Sequence, residues 1–173
     1  MGLILDSSLL IAGERQGQRV WDILERAKAS QGETESALSA ITVVELTHGI
    51  YRAKSEADRQ RRHAFVEELS QALPVHPVTL EIAQLAGRIE GEQAAKGVVI
   101  ALPDLLIGVT ALHLGYSVAT LNARHFQLIP GAYHSSTLKH SAGTDLIFCT
   151  PGSLLVREDT KIDWPGLKSR ISE

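Results

Sequence analysis

Short apolar runs alternate with helical patterns along most of this chain, and no other feature constrains the fold more. The first run, 3–5, ends at Asp6, and the residues after it are compatible with a helix. Further strand-like runs at 37–41, 75–78 and 117–121 are separated by segments in which apolar residues recur every three or four positions. This alternation predicts an α/β fold with a mostly parallel central sheet flanked by helices.

Local signals mark the expected helix boundaries. Thr42 and Glu45 have the spacing of a capping box, so a helix is expected to begin at Thr42 with Glu45 in its first turn. Pro103 and Asp104 have the residue types of a helix start. Helical periodicity is expected over 18–29, 42–53, a segment that ends at Pro74, 79–96 and a segment from 104 to 113.

The last part of the chain has a different character. Ser, Thr, His and Gly are frequent there, and the helical period disappears. We therefore predict a domain over 1–131 and a C-terminal extension over 132–173 with no assigned role. Two short strands are expected in the extension, at 145–149 and 153–156.

Size, charge and cysteine content exclude several classes of protein. With 173 residues, the chain suits one globular domain. Its net charge of −3 argues against coating nucleic acid through bulk positive charge. Cys149 has no partner for an intramolecular disulfide, which suits a reducing cytosol. The N-terminus lacks the basic region of a signal peptide, and no apolar run approaches the ~18 residues of a spanning helix. A cytoplasmic protein without a membrane segment is expected.

Three carboxylates occupy comparable places in the predicted fold. Asp6 ends the first strand, Glu45 begins the helix after the second strand, and Asp104 begins a later helix. In an open α/β sheet such positions meet at the carboxyl ends of the strands, where ligands bind. Acids gathered there repel one another unless a cation holds them, and oxygen ligands suit Mg²⁺ or Mn²⁺.

Each acid alone also has a purely structural explanation. Asp6 has the residue type of an N-cap, Glu45 that of a capping-box partner, and Asp104 that of a first-turn acid that offsets the helix dipole. Spacing leaves the metal site and the three caps as open alternatives.

Four segments, in order along the chain, resemble the signature segments of PIN-domain ribonucleases, and within them the VapC-type toxins. The resemblance covers roughly residues 1–131. The segments are Leu3-Ile4-Leu5-Asp6-Ser7-Ser8-Leu9-Leu10-Ile11, Val43-Val44-Glu45-Leu46-Thr47-His48-Gly49-Ile50, Leu102-Pro103-Asp104-Leu105-Leu106-Ile107-Gly108 and Ala119-Thr120-Leu121-Asn122-Ala123-Arg124-His125-Phe126.

The resemblance implies a PIN-like fold and a metal-dependent endoribonuclease, a hydrolase of RNA phosphodiester bonds. Asp6, Glu45 and Asp104 match the family's metal-binding acids, and Asn122 matches an auxiliary catalytic position. Ser8 matches a small hydroxyl residue near the first acid, although a capping hydroxyl explains it equally well. The same resemblance implies a cytoplasmic toxin that forms a homodimer and is inhibited by a cognate antitoxin protein.

Other side chains carry weaker signals. Six basic residues are candidates for contacts with an RNA backbone, but a charge run is more often a solvated helix face, which we favour. These residues are Arg52, Lys54, Arg59, Arg61, Arg62 and Arg88. His125 is interpreted as a surface imidazole. The seven histidines lack the spacing of a zinc site.

Two alternative functions stay within the same fold. The first is an RNA-processing PIN nuclease that is not a toxin, and the second is a non-catalytic RNA-binding or adaptor domain. An adaptor is expected to lack one or more of the acids, whereas this chain has all three. A haloacid dehalogenase would need an acid where Ser8 stands, and the glycine fingerprint of a dinucleotide-binding domain is absent.

Overall fold

The structure, a computed structural model, describes residues 2–31, 34–130, 133–138 and 146–151. These residues form alternating strands and helices, followed by two further strands. In chain order the elements are β1 (Gly2–Leu5), α1 (Ser7–Arg15), α2 (Val20–Gln31), β2 (Glu35–Ser39), α3 (Ala40–Tyr51), α4 (Glu56–Ala72), β3 (Val75–His76), α5 (Leu80–Ala94), α6 (Leu102–Leu114), β4 (Ser117–Thr120), α7 (Ala123–Phe126), β5 (Tyr133–Leu138) and β6 (Leu146–Pro151).

The strands form one six-stranded sheet in the order β3-β2-β1-β4-β6-β5. The first four strands are parallel, whereas β6 and β5 pair in antiparallel fashion at the other edge. The predicted α/β class with a mostly parallel sheet is therefore confirmed. Strand β1 lies between β2 and β4, so the residues that follow these three strands meet at one edge of the sheet.

The start of α3 differs from the prediction. Strand β2 ends at Ser39 rather than at Ile41, and the Ser39 hydroxyl accepts a bond from the Ile41 amide at 3.3 Å as the N-cap of α3. Thr42 lies inside the helix, where its buried hydroxyl donates to the Leu5 carbonyl at 3.3 Å. The capping box at Thr42 is therefore wrong, and Glu45 lies in the second turn of α3 rather than in its first.

The other helix signals correspond to observed ends. The Thr79 side chain caps α5, and Pro103 and Asp104 lie in the first turn of α6. Gly115 ends α6 with a φ of 67°, a left-handed conformation that glycine adopts without strain. The predicted strand at 75–78 is shorter, and the one at 153–156 lies outside the described residues. No described helix has both the length and the apolarity needed to cross a membrane.

Helices cover both faces of the sheet. Along β1 the side chains alternate, as the pleat of a strand requires: Ile4 packs on one face, and Leu3 and Leu5 pack on the other. The first face carries α5 and α6, and the second carries α1, α2 and α4. Both cores exclude water from β1, so the first position after it is fixed by packing on two sides.

Strand β6 belongs to the same sheet although it lies beyond residue 131. It pairs with β4, with Phe148 opposite Ala119 and Ile147 opposite Thr120. Phe148 and Cys149 are fully buried, one in each core. This strand therefore covers the flank of β4, whose C-terminal end contributes residues to the site described below.

The contact between α6 and the segment after β4 depends on a glycine. A Cβ at Gly108 would run into Ile129 and lie 3.2 Å from Phe126 Cδ1, whereas a Cβ at the exposed Gly87 of α5 would meet nothing within 4 Å. Both glycines are inside helices, so helix propensity favours their replacement equally.

We expect Gly108→Val to lower the free energy of unfolding by about 1–3 kcal/mol, because overpacking forces buried neighbours to move. Gly87→Val is the matched control and should be close to neutral. Urea denaturation followed by circular dichroism measures both variants. Equal stability of the two variants would contradict the close packing of α6 on the segment after β4.

Candidate active site

The three predicted carboxylates lie at one edge of the sheet. Asp6 follows β1 directly and is 3% exposed, Glu45 lies one turn into α3, and Asp104 lies in the first turn of α6. Burial is the main cause of the raised pKa of both Asp6 and Glu45; the charge of Asp104 adds to both shifts, and the charge of Asp6 adds to that of Glu45. The three acids are therefore near enough to repel one another.

Asp6 is held by two hydroxyl groups. Ser8 Oγ and Thr120 Oγ1 donate to the same carboxylate oxygen, Asp6 Oδ2, at 2.5 and 2.7 Å. The two hydroxyls also accept bonds from the amides of Leu121 and Asn122, at 3.1 and 2.9 Å. These bonds tie the end of β1 to the end of β4 through the Asp6 side chain.

The charge on Asp6 remains unfavourable in spite of these bonds. Burial is the largest effect and raises the pKa of Asp6 above its ordinary value, while the bonds from Ser8 and Thr120 oppose it. The Ser8 hydroxyl thus bonds to Asp6 instead of capping α1, which has no side-chain cap. Thr120 was not among the predicted residues, since a threonine at the end of a short strand carries no distinct sequence signal.

Glu45 has an unsatisfied oxygen. Its carboxylate accepts a bond from the Ser7 hydroxyl, but Oε2 is buried and has no hydrogen-bond partner. Burial is the main cause of the raised pKa of Glu45, and the neighbouring carboxylates add to it. A buried carboxylate oxygen without a partner is costly, so a positive charge or a hydrogen-bond donor beside Glu45 Oε2 would stabilise it.

Asp104 is bonded to a histidine. His125 Nδ1 lies 2.7 Å from Asp104 Oδ2, and the His125 side chain is 35% exposed. The Asn122 amide nitrogen lies 3.0 Å from Nδ1 and 3.3 Å from Nε2 of His125. Because Nδ1 donates to the carboxylate, Nε2 is the ring nitrogen left to accept from the amide. Arg124 Nε in turn donates to Asn122 Oδ1 at 3.1 Å. The interpretation of His125 as a surface imidazole is wrong, and Asn122 reaches the acids through His125.

The acids do not form a closed set of metal ligands as they are placed. Within the described ranges, no three histidine, cysteine or acidic side chains are grouped tightly enough to hold an ion. The chemistry of the donors nevertheless fits a hard cation, since Asp6, Glu45 and Asp104 offer only oxygen atoms and repel one another without one. The unpartnered oxygen of Glu45 is the free ligand in this set.

A groove of about 760 Å³ begins at Glu45. Helices α1, α3 and α4 form its walls. The residues that line it are Ser7, Ile11, Arg15, Val44, Glu45, His48, Gly49, Arg52, Lys54, Asp58, Arg62 and Pro103. Of the six predicted basic residues, Arg52, Lys54 and Arg62 therefore line the groove.

The other three of these basic residues form ion pairs with nearby acids. Arg61 bonds Glu14 and Asp58 at 2.7 and 2.8 Å, and Arg59 and Arg88 pair with glutamates on their own helices. The preference for a solvated helix face therefore stays a prediction for these residues. Arg15 was not predicted as a groove residue, because no other basic residue stands next to it in the sequence.

A mostly parallel sheet with helices on both faces and three acids at its carboxyl edge defines an α/β protein with a ligand site at the ends of its strands. The PIN-domain family matches residues 3–131, a range that contains all three acids, Asn122 and His125. This chain belongs to the PIN-domain family. Strands β5 and β6 lie beyond the matched range.

Known proteins resemble the chain over about three quarters of its length. Ribonuclease VapC1 of Rickettsia felis is 32% identical over 135 residues, which cover 76% of this chain and 92% of that protein. The crystal structure of DNA-bound VapBC from Salmonella typhimurium matches with a TM-score of 0.64 and 26% identity, over 76% of this chain and 94% of the other. VapBC2 from Rickettsia felis, bound to a DNA fragment from its promoter, matches with a TM-score of 0.65 and 19% identity, over 75% and 94% of the two chains.

The raised pKa of Glu45 gives a prediction with a definite sign. A native carboxyl whose pKa lies above its unfolded value binds protons more tightly when folded, so the folded state is stabilised as the pH falls through the raised pKa. At neutral pH the charge therefore opposes folding. We expect Glu45→Gln to hold or raise the melting temperature in EDTA at neutral pH, and this advantage should disappear below about pH 4.5, the ordinary range of a glutamate.

Glu81→Gln is the control for this prediction. Glu81 lies in the first turn of α5, where hydrogen bonds from its own backbone amide and from Thr79 lower its pKa. Its charge favours folding, so its removal should lower the melting temperature at neutral pH. A melting temperature of Glu45→Gln that falls as that of Glu81→Gln does would contradict the unfavourable charge of Glu45 in the metal-free protein.

Proposed function

We propose that this chain is an Mg²⁺- or Mn²⁺-dependent endoribonuclease, the toxin of a toxin–antitoxin pair. The chain is a PIN-domain nuclease by family, and its similarity to ribonuclease VapC1 supports RNA as the substrate. One observation of the structure carries the metal-dependent part of the proposal. Glu45 Oε2 is buried and unpartnered beside two further carboxylates, an arrangement that a divalent cation would satisfy.

The proposed mechanism assigns a separate task to each residue. Asp6, Glu45 and Asp104 would hold the cation, with Asp6 fixed by Ser8 and Thr120 and with Asp104 fixed by His125. A bound cation would supply an activated water and stabilise the charge that develops on the phosphoryl oxygen. Asn122 would orient a water or a phosphate oxygen at the edge of the site and holds the His125 ring. In-line attack of water on phosphorus, with the 3′ oxygen as the leaving group, would give 5′-phosphate and 3′-hydroxyl ends.

The biological setting follows from the relatives. Chains of two solved complexes named VapBC resemble this chain over nearly their whole length. This similarity supports a cognate antitoxin as the partner of this chain. We further propose a homodimer in the cytoplasm, where RNA is accessible. The antitoxin would block the groove that leads to Glu45.

The metal requirement is tested with purified protein and a single-stranded RNA substrate. Cleavage is expected with Mg²⁺ or Mn²⁺ and not in EDTA, and Asp104→Asn should lower the rate by at least about 10²-fold, because the ion is no longer fixed where charge develops. Gel analysis of end-labelled RNA measures the rates, and Arg88→Ala serves as a surface control. Full activity in EDTA, or an unchanged rate for Asp104→Asn, would overturn the metal site.

The toxin assignment is tested in cells. Induced expression should arrest growth, and co-expression of the small protein encoded next to this chain should relieve the arrest. Asp104→Asn is the matched negative control, since it should leave growth unaffected. RNA cleavage without growth arrest would instead support an RNA-processing nuclease, and RNA binding without cleavage would support an adaptor.

A further inference from the structure

Two helices carry matching stripes of residues along the groove. On α3, Glu45, His48, Gly49 and Arg52 follow the spacing of one helix face, and all four line the groove. On α1, Ser7, Ile11 and Arg15 do the same at intervals of four. Each stripe therefore runs from the acidic site to an arginine at the C-terminal end of its helix.

Each arginine lies about two helical turns from the end of its stripe that meets the acidic site. At a rise of 1.5 Å per residue, the backbone of Arg52 is about 10 Å along α3 from that of Glu45, and the backbone of Arg15 is about 12 Å along α1 from that of Ser7. This separation suits contact with a phosphate that neighbours the one at the carboxylates.

The cations at this end of the groove are available to a ligand. Arg15, Arg52 and Lys54 are exposed and form no ion pair with another described residue. Arg62 is fixed against the wall, because its Nη1 donates to the Gly49 carbonyl at 2.6 Å and its Nε lies 3.9 Å from Glu14 Oε2. Asp58, the acid nearest these cations in the groove lining, is already bonded to Ser55 and Arg61.

We propose that this cationic groove, defined by Arg15, Arg52, Lys54 and Arg62, binds the phosphate backbone of a single-stranded RNA segment next to the cleaved bond. This inference rests on the proposed function and adds the path of the substrate. An unstructured RNA strand fits the groove because each nucleotide carries a negatively charged phosphate. The groove leads such a strand directly to Glu45. Among the described residues that line the groove there is no Phe, Tyr or Trp, and His48 carries the one aromatic ring, so the groove contacts mainly backbone rather than stacked bases.

The inference predicts a division of labour within the substrate site. Phosphate contacts position a nucleic acid without reading its sequence, so the groove supplies affinity and direction, while the choice of RNA is made elsewhere. Binding energy from a phosphate outside the reacting centre also places the cleaved bond at the carboxylates. Arginines at helix C-termini offset the helix dipole as well, so the test needs a readout that a stabilising role does not change.

The test measures binding of fluorescein-labelled oligouridine and oligoadenine by fluorescence anisotropy in EDTA, over a series of salt concentrations. The variant is Arg52→Ala/Lys54→Ala, and the control with the same loss of charge is Arg59→Ala/Arg88→Ala. We expect the variant to bind both oligonucleotides about tenfold or more weakly at low salt. Its slope of log affinity against log salt should be smaller by about 1.4, since each lost phosphate contact on a single strand removes about 0.7. The control should keep the slope of the unmodified protein.

A second variant narrows the groove without removing charge. A Cβ at Gly49 meets nothing within 4 Å, and replacing glycine inside a helix favours folding. Gly49→Leu should therefore fold at least as stably as the unmodified protein and bind oligonucleotides more weakly.

The results separate this inference from the proposed function. If the unmodified protein cleaves RNA with Mg²⁺ but the double variant keeps its affinity and slope, only the groove inference is overturned. It is also overturned if the unmodified protein binds no oligonucleotide at low salt, if the control weakens binding equally, or if the double variant loses only binding of the antitoxin. If no divalent cation supports cleavage while the double variant alone loses salt-sensitive binding, the groove stands and the proposed function fails.

Discussion

The buried carboxylate of Asp6 is the constraint on which the rest of the site depends. It follows the central strand, and packing on both faces of the sheet leaves it 3% exposed. Ser8 and Thr120 satisfy one of its oxygens and join β1 to β4, yet burial still raises its pKa. A negative charge at this buried position needs a compensating positive charge. The negative charges of the nearby Glu45 and Asp104 increase that need. A bound cation would relieve the repulsion that the fold itself creates.

Local sequence signals predicted the parts of the fold that depend on neighbouring residues. The apolar run before Asp6, the Pro103-Asp104 helix start and the glycine after α6 are all observed. The predicted start of α3 was wrong because two hydroxyl residues that could cap the helix, Ser39 and Thr42, stand close together. Thr42 forms its bond with the Leu5 carbonyl, 37 residues earlier in the chain, and no local pattern reveals that contact.

The parts of the site that the residue patterns did not predict depend on distant contacts. His125 is 21 positions from Asp104, and Thr120 is 114 positions from Asp6, so only the folded sheet places these pairs side by side. The same reason applies to Arg15, which joins Arg52 and Lys54 only because α1 and α3 pack together. Asp6 and Asp104 were within reach of sequence reasoning, because each lies at a recognisable strand end or helix start. Glu45 was located by a capping box that the structure does not contain, although its place near the start of α3 is observed.

Anomalous diffraction at the manganese edge, from crystals grown with Mn²⁺, tests the central claim most directly. The account predicts one strong peak bounded by carboxylate oxygens of Asp6, Glu45 and Asp104, with Glu45 Oε2 among its ligands and His125 still bonded to Asp104. A peak held by other residues would contradict the account. So would an unchanged, metal-free arrangement of the three acids at saturating Mn²⁺.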